Sequence, residues 1–364
     1  MKKEPKISSI QVKGLIISSI IGVGVLSLPN TLANILEKDG WIPIIITGPL
    51  IILFLTIIIH MFRKNPGKDY FEIGRENLGD SLFTIFLLIF FVYLLIAAAF
   101  VVRNLGELIK AFLLPRTPME VIIGSFILVT SYIATYEIDV IARTGYFIYP
   151  ITIIFSILLI LMALPRADFG NILPTFQADF RNIPKGILMT FFSYTGFEII
   201  LFAIPHVEDE ENVLKSSISG IATVTIIYSA LFIMTLTQFN IEQIQRQTFP
   251  VLMMAKLLDL PGYFLQNLDN IFLGIWVLVV FATLAPIYYG AGKIVSEIFK
   301  TKKHKYYILI LAPIIYFLAL WPKNIVEVYR RLGTIFNILG IISVLLLPLL
   351  LCIVSSIKGR EAKK

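Results

Sequence analysis

Gly14-Leu15-Ile16-Ile17-Ser18-Ser19-Ile20-Ile21-Gly22-Val23-Gly24-Val25-Leu26-Ser27-Leu28-Pro29 and Gly186-Ile187-Leu188-Met189-Thr190-Phe191-Phe192-Ser193-Tyr194-Thr195-Gly196-Phe197-Glu198, the latter followed by Pro205, are two apolar stretches interrupted in the same way. Each has glycines and hydroxyl residues where a membrane helix is normally most regular. Glycine weakens a helix, and proline offers no N–H to the carbonyl four residues back, so Pro29 frees the carbonyl of Val25 and Pro205 that of Leu201. Backbone groups freed inside a bilayer must find a partner. A pair of interrupted spans at corresponding places in two halves is the sequence pointer to a ligand site at the membrane midplane.

The rest of the composition agrees with a membrane setting. Of 364 residues, 57% are hydrophobic and only 15% charged, with many apolar runs long enough to cross a hydrocarbon core of about 30 Å. The formal charge of +7 does not point to nucleic acid, because the basic residues sit in short loops beside apolar runs, as topology signals do. The single cysteine, Cys352, lies in the last apolar run, which leaves no disulfide and assigns the thiol to packing. Lys2, Lys3, Lys6 and Lys13 precede the first apolar stretch, but no small-residue cleavage site follows, so that stretch is expected to be retained as a span.

Windows of about 20 apolar residues predict ten spans near 12–36, 41–62, 82–111, 118–136, 143–164, 184–205, 216–239, 268–298, 305–321 and 333–357. The expected architecture is an all-α polytopic membrane protein, a single transmembrane domain over 1–364. It has a first repeat at about 12–164, a linker at about 165–183, a second repeat at about 184–357 and a cytoplasmic tail at 358–364. The third and eighth spans are the longest. The linker, with alternating aromatic residues and Pro165, Gly170 and Pro174, is expected as an interfacial helix or short hairpin. Placing the N-terminus inside puts 19 of the 31 basic residues on the cytoplasmic side: Lys2, Lys3, Lys6, Lys13, Arg63, Lys64, Lys68, Arg75, Arg143, Lys215, Lys293, Lys300, Lys302, Lys303, Lys305, Lys358, Arg360, Lys363 and Lys364. Both termini are then cytoplasmic. Because five is odd, the two five-span halves run in opposite directions, which is an inverted repeat with broken helices 1 and 6.

Unwinding near the midplane places Gly22, Val23 and Gly24 opposite Ser193, Tyr194, Thr195 and Gly196, with free N–H and C=O groups on both sides. An amino acid suits such a place: its carboxylate takes N–H donors at a half-helix N-terminus and its ammonium takes carbonyls at a half-helix C-terminus. The competing reading is that the glycines only allow close helix packing. Glu198 lies two residues past Gly196, where an ionised carboxylate costs about 2.5–3.5 kcal/mol on insertion scales. No basic residue occupies the central part of a span, so a partner would have to reach in from a helix end such as Arg103 or Lys293. Its open roles are proton acceptor, ammonium ligand, latch to the first span's backbone, or a carboxyl that fixes helix geometry. Walls are expected from Tyr93 and Ala97, four apart on the third span, and from Thr283, Ile287 and Tyr288 on the eighth, beside Pro286. Packing between helices is the alternative at each of these positions.

No enzyme signature stands out. His60, His206 and His304 do not form a metal spacing, and the acids at 208–211 after His206 read as a solvated loop. Gly22-Val23-Gly24 lacks the strand, third glycine and helix of a dinucleotide loop. No cofactor and no metal are expected. The run from Lys300 to Lys305 reads as an anchor to anionic lipid heads.

The stretch from Asn182 through Phe192-Ser193-Tyr194-Thr195-Gly196-Phe197-Glu198 to Pro205 resembles the sixth span of the spore germination permeases, the B subunits of GerA-type germinant receptors. Gly22-Val23-Gly24-Val25-Leu26-Ser27-Leu28-Pro29 is similar to their first span, and the resemblance covers essentially the whole chain. It implies a LeuT-like fold of the amino acid-polyamine-organocation superfamily, a small germinant such as an amino acid as ligand, and A and C subunits as partners in the inner membrane of a bacterial endospore. Carried across, the ligand would lie among Gly22, Val23, Gly24, Val25, Leu26, Ser193, Tyr194, Thr195, Gly196, Phe197, Glu198, Tyr93, Ala97, Thr283 and Ile287. Sodium-coupled members of this architecture hold an ion between a first-span carbonyl and eighth-span hydroxyls. Here Ala282 and Leu284 flank Thr283, so the second hydroxyl is missing. A sensor subunit, an amino-acid permease and a ligand-opened channel all remain open.

Overall fold

A computed structural model describes residues 6–257, 268–301 and 303–361. Lys2, Lys3, Lys302, Lys363 and Lys364, counted above as topology signals, lie outside the described residues, as do residues 362–364 of the expected tail.

The chain is helical throughout the described residues, with no strand and one isolated bridge between Ile7 and Val207. A capping box starts the first helix: the Ser8 hydroxyl accepts from the Gln11 N–H and the Gln11 side chain reaches back to the Ser8 N–H. The first span is two helices, α1 (Ser9–Ile20) and α2 (Gly24–Leu36). Spans two to five are α3 (Trp41–Lys64), α5 (Asp80–Phe112), α6 (Met119–Ala134) and α7 (Ile138–Ala163), with the amphipathic α4 (Tyr70–Leu78) between α3 and α5. The sixth span is α8 (Ile183–Ser193) and α9 (Phe197–His206), bent by 53°. Then follow α10 (Glu210–Gln238), the short α11 (Ile241–Arg246) and α12 (Pro250–Lys256), α13 (Leu268–Ile298), α14 (Lys305–Leu320) and α15 (Ile325–Glu361).

Among the described residues, six helical runs are long and apolar enough to cross a bilayer, seven with the bent pair α8 and α9. One of the six joins α2 to α3. The apolar helices α1, α6 and α14 fall below that length, and with them the chain divides into the ten spans expected. The two longest helices, α5 with 33 residues and α13 with 31, are the third and eighth spans.

Several edges and loops differ from expectation. Hydropathy underweights polar first turns, so α7, α10 and α15 start earlier than the apolar windows do. The final helix runs on to Glu361, through the start of the expected tail. The linker forms neither an interfacial α-helix nor a hairpin; it contains three short 3-10 turns, Leu164–Arg166, Phe169–Ile172 and Phe180–Asn182. It is held from across the molecule. The carboxylate of Asp39, only 2% exposed, accepts the N–H groups of Phe176, Gln177 and Ala178 at 2.7, 2.8 and 3.0 Å. At the other membrane face, Arg75 of α4 pairs with Glu297 at the end of α13 and with Asp80 at 3.0 Å. Lys300 also reaches Asp80, at 3.4 Å.

Candidate functional site

Where α1 stops, Ile21 is extended and residues 21–23 leave the helix before α2 resumes at Gly24. Where α8 stops, Tyr194 to Gly196 form the turn, and Gly196 takes φ +117°, a conformation L side chains rarely adopt. A Cβ on Gly196 would lie 2.3 Å from the main-chain oxygen of Ser19, so the two broken spans cross backbone to backbone. Gly22 is equally constrained, since a Cβ there would meet Thr283 Oγ1 at 2.7 Å. Neither proline sits at a break. Pro29 lies in the second turn of α2, and Pro205 in the last turn of α9.

Between the breaks lies a cavity of about 50 Å³. It is lined by Gly22, Val23 and Gly24 of the first span, Ser193, Thr195, Gly196 and Glu198 of the sixth, Tyr93 and Ala97 of α5, and Thr283 and Ile287 of α13. Five expected residues are turned elsewhere, because successive helical residues are rotated by about 100° and cannot all face one cavity. Val25 and Leu26 are buried away from it within α2. Tyr194 sends its hydroxyl to Thr225 Oγ1 at 3.0 Å, and Tyr288 sends its own to the Ile308 carbonyl at 2.7 Å. The Phe197 ring packs edge-on against Phe54 and Phe191.

The sequence reading missed the roof. Phe100, Val101, Phe192 and Phe336 complete the wall, and the Phe336 ring stacks on Tyr93 at 5.3 Å and on Phe100 at 5.6 Å. Phe100 lies seven residues beyond Tyr93 on α5, about 10 Å further along the helix, so the stack covers the cavity toward the C-terminal end of α5. Its spacing from Tyr93 and Ala97 was a usable signal, whereas nothing in the sequence connects Phe336 to them. The opposite end is tied by main-chain bonds. There Ile7 donates to the His206 carbonyl at 2.9 Å and Glu208 donates to the Ile7 carbonyl at 3.0 Å, tying the chain ahead of α1 to the end of α9.

Glu198, 3% exposed, is held by neutral donors. Tyr93 donates its hydroxyl to Oε1 at 2.9 Å, and the Gly196 N–H donates to Oε2 at 2.6 Å. Arg103 does not reach it; that guanidinium is bound to Glu107 at 2.7 Å and to the Ala319 carbonyl at 3.3 Å. The carboxyl group thus sits at the N-terminal end of α9, held by the Tyr93 hydroxyl and the Gly196 N–H. Neither α2 nor α9 has a side chain accepting from its first-turn N–H groups; the breaks differ in that Glu198 returns to the Gly196 N–H just ahead of α9, whereas no side chain returns to the start of α2 at the cavity. Orphan N–H groups at a helix start need some acceptor.

A family model described as a spore germination protein matches residues 6–328. Among curated relatives, spore germination protein YndE of Bacillus subtilis (strain 168) is 30% identical over 359 residues, covering 98% of both chains. Spore germination protein B2 of the same organism is 28% identical over 330 residues, 90% of each. Solved structures match in fold at low identity. A substrate-bound Na+-coupled sialic acid symporter superposes with a TM-score of 0.74 at 11% identity, covering 93% of this chain and 78% of that one. MhsT in complex with L-phenylalanine does so with 0.72 at 13%, covering 96% and 89%.

Proposed function

The chain belongs to the spore germination protein family, and from that premise we propose that it is a germinant-receptor subunit that binds a small amino acid between its two broken spans. It is a multi-pass membrane protein with a LeuT-like fold. The observation that carries the ligand reading is that a carboxyl returns to the Gly196 N–H at the sixth-span break while no side chain returns to the break in the first span. The sixth span supplies its own carboxylate to the start of α9, while the start of α2 has no such group and opens onto the same space. An external carboxylate supplies what α2 lacks. The ammonium of the same ligand then faces Glu198, whose oxygens have lone pairs beyond the two bonds they already accept.

Size narrows the side chain. A cavity of about 50 Å³ is far smaller than one of about 150 Å³ that accommodates benzene, so in this closed state the ligand's side chain is short. The complex of MhsT with L-phenylalanine supports amino-acid chemistry for the fold, with a larger side chain there. The task proposed for the site is recognition. The aromatic stack over the cavity fits a state in which a bound ligand is retained. A ligand that prefers this state over an open one shifts the balance between them, which A and C subunits would read in the spore inner membrane.

Thermal unfolding of the purified protein across an amino-acid panel tests the reading. A small amino acid is expected to raise the midpoint with concentration, by the mass action of a ligand that binds only the folded state. A flat response to every amino acid would sink it. The runner-up, a permease, is favoured by the neighbouring symporters' fold. Sustained concentrative uptake of the stabilising amino acid by vesicles containing this chain alone would establish that reading instead.

A further inference from the structure

Each break leaves main-chain oxygens pointing away from its helix, and in both spans these oxygens are already held. The Tyr228 hydroxyl of α10 lies 3.2 Å from the carbonyl of Ile20 and 3.0 Å from that of Ser193. A single side chain thus joins the last turn of α1 to the last turn of α8. Thr283 of α13 does the equivalent within the first span, its Oγ1 lying 2.9 Å from the Ser18 carbonyl and 3.0 Å from that of Ile21, closer than the 3.3 Å to the Val279 carbonyl of its own helix. Both residues are buried, Tyr228 at 1% and Thr283 at 5% exposure. Tyr228 is itself positioned by the Tyr194 ring, edge-on at 5.1 Å, whose hydroxyl is anchored on Thr225.

Convergent carbonyls from unwound helix ends are the chemistry by which broken-helix transporters coordinate a monovalent cation. We propose that Tyr228 and Thr283 stand in for such cations: their hydroxyl protons hold the two sets of main-chain oxygens together, so the ligand cavity keeps its shape without a bound ion. The inference rests on reading the cavity as a ligand site. A hydroxyl proton carries partial positive charge to the same oxygens that an ion would neutralise, and it cannot dissociate. Space points the same way. Gly22 has no room for even a methyl group beside Thr283 Oγ1, so the hydroxyl fills the gap between α1 and α13. Both clamps grip α1, so any motion that swings α1 away from α8 and α13 must break them.

The test uses the full chain in detergent, in chloride salts of sodium, lithium, potassium and choline at matched ionic strength. The wild-type melting midpoint is expected to be the same in all four. Hydrogen exchange then reads the clamps. Tyr228→Phe and Thr283→Val are expected to speed exchange of the amides at 14–26 and 186–198 by about tenfold or more, with Thr283→Ser leaving it unchanged. A midpoint raised selectively by one cation in the wild type would overturn the proposal. So would exchange that rises evenly over the whole chain in both variants, or does not rise. If Tyr228→Phe does not fold, the Val and Ser pair at 283 and the wild-type cation series still decide it. A flat amino-acid panel with cation-independent midpoints and clamp-dependent exchange would remove the ligand reading and leave the clamps standing.

Discussion

The first and sixth spans break at matching places, yet they are finished by different chemistry. The sixth closes on itself: a left-handed glycine turns the chain, and the side chain two residues on returns to cap the N–H of that glycine. The Tyr228 hydroxyl of α10 reaches carbonyls of both spans, but only the first is also held by Thr283 of α13, and no side chain returns to its restart at Gly24. Related positions in an inverted repeat therefore need not be chemically equivalent. The asymmetry gives the cavity a direction, with a carboxyl group on one side and the start of α2 on the other.

The sharpest way to break this comparison is at the glycines. Gly196→Ala combines a strained φ with a collision against Ser19 and is expected to cost about 3–5 kcal/mol, seen as loss of monodisperse protein. Gly24→Ala places its methyl 3.7 Å from Ser193, ordinary contact, and is expected to fold normally while weakening the stabilising effect of a small amino acid. Equal damage from the two would erase the distinction between the breaks. Next in size is Glu198→Gln, which keeps the shape but removes the charge. It is expected to lower affinity for the stabilising amino acid by about ten- to a hundredfold, the range of a hydrogen bond to a charged group, measured by ligand-dependent thermal shift. Tyr93→Phe removes one of two donors to the same carboxylate. It should cost about 1–2 kcal/mol in unfolding free energy with a smaller loss of affinity.

The smallest effect separates Glu198 from a titrating group elsewhere. His304 lies in the loop before α14, its Nε2 at 3.2 and 3.1 Å from the carbonyls of Ala134 and Tyr136, and burial pushes its pKa below the ordinary histidine value. A depressed folded-state pKa gives stability that is complete above about pH 6.5 and is lost as pH falls through the folded value. Melting midpoints between pH 7 and 5 are expected to fall in the wild type and to fall less in His304→Gln. An unchanged acid sensitivity in that variant would move its source to another group.

What could be read from the sequence was local. The glycine and hydroxyl residues at 18–24 and 193–196 marked both breaks, and apolar length marked ten spans, because both depend on neighbours in the chain. Which glycine is indispensable was not legible. Gly22, Gly24 and Gly196 look alike as letters, and only the approach of Thr283 and Ser19 separates them. Tyr228 gave no signal either, since its partners lie 208 and 35 residues away. Glu198 was recognisable by its depth, but the choice of Tyr93 and Gly196 as its partners needed the crossing of α5 over the break. Phe336 joined the roof from a span whose pattern is uniformly apolar. The loop helices α11 and α12 were missed because they are too short for a periodic signal.

Asp39 carries a consequence for how the molecule is made. Its carboxylate belongs to the loop after α2, while the three amides that satisfy it appear 137 to 139 residues later in the chain. During synthesis the first five spans enter the membrane with that charge unanswered, and only the arrival of residues 176–178 completes the loop. The first half is therefore not a finished module awaiting a second. A chain cut before the linker would retain every helix of its repeat and still lack the clasp that closes its own first turn.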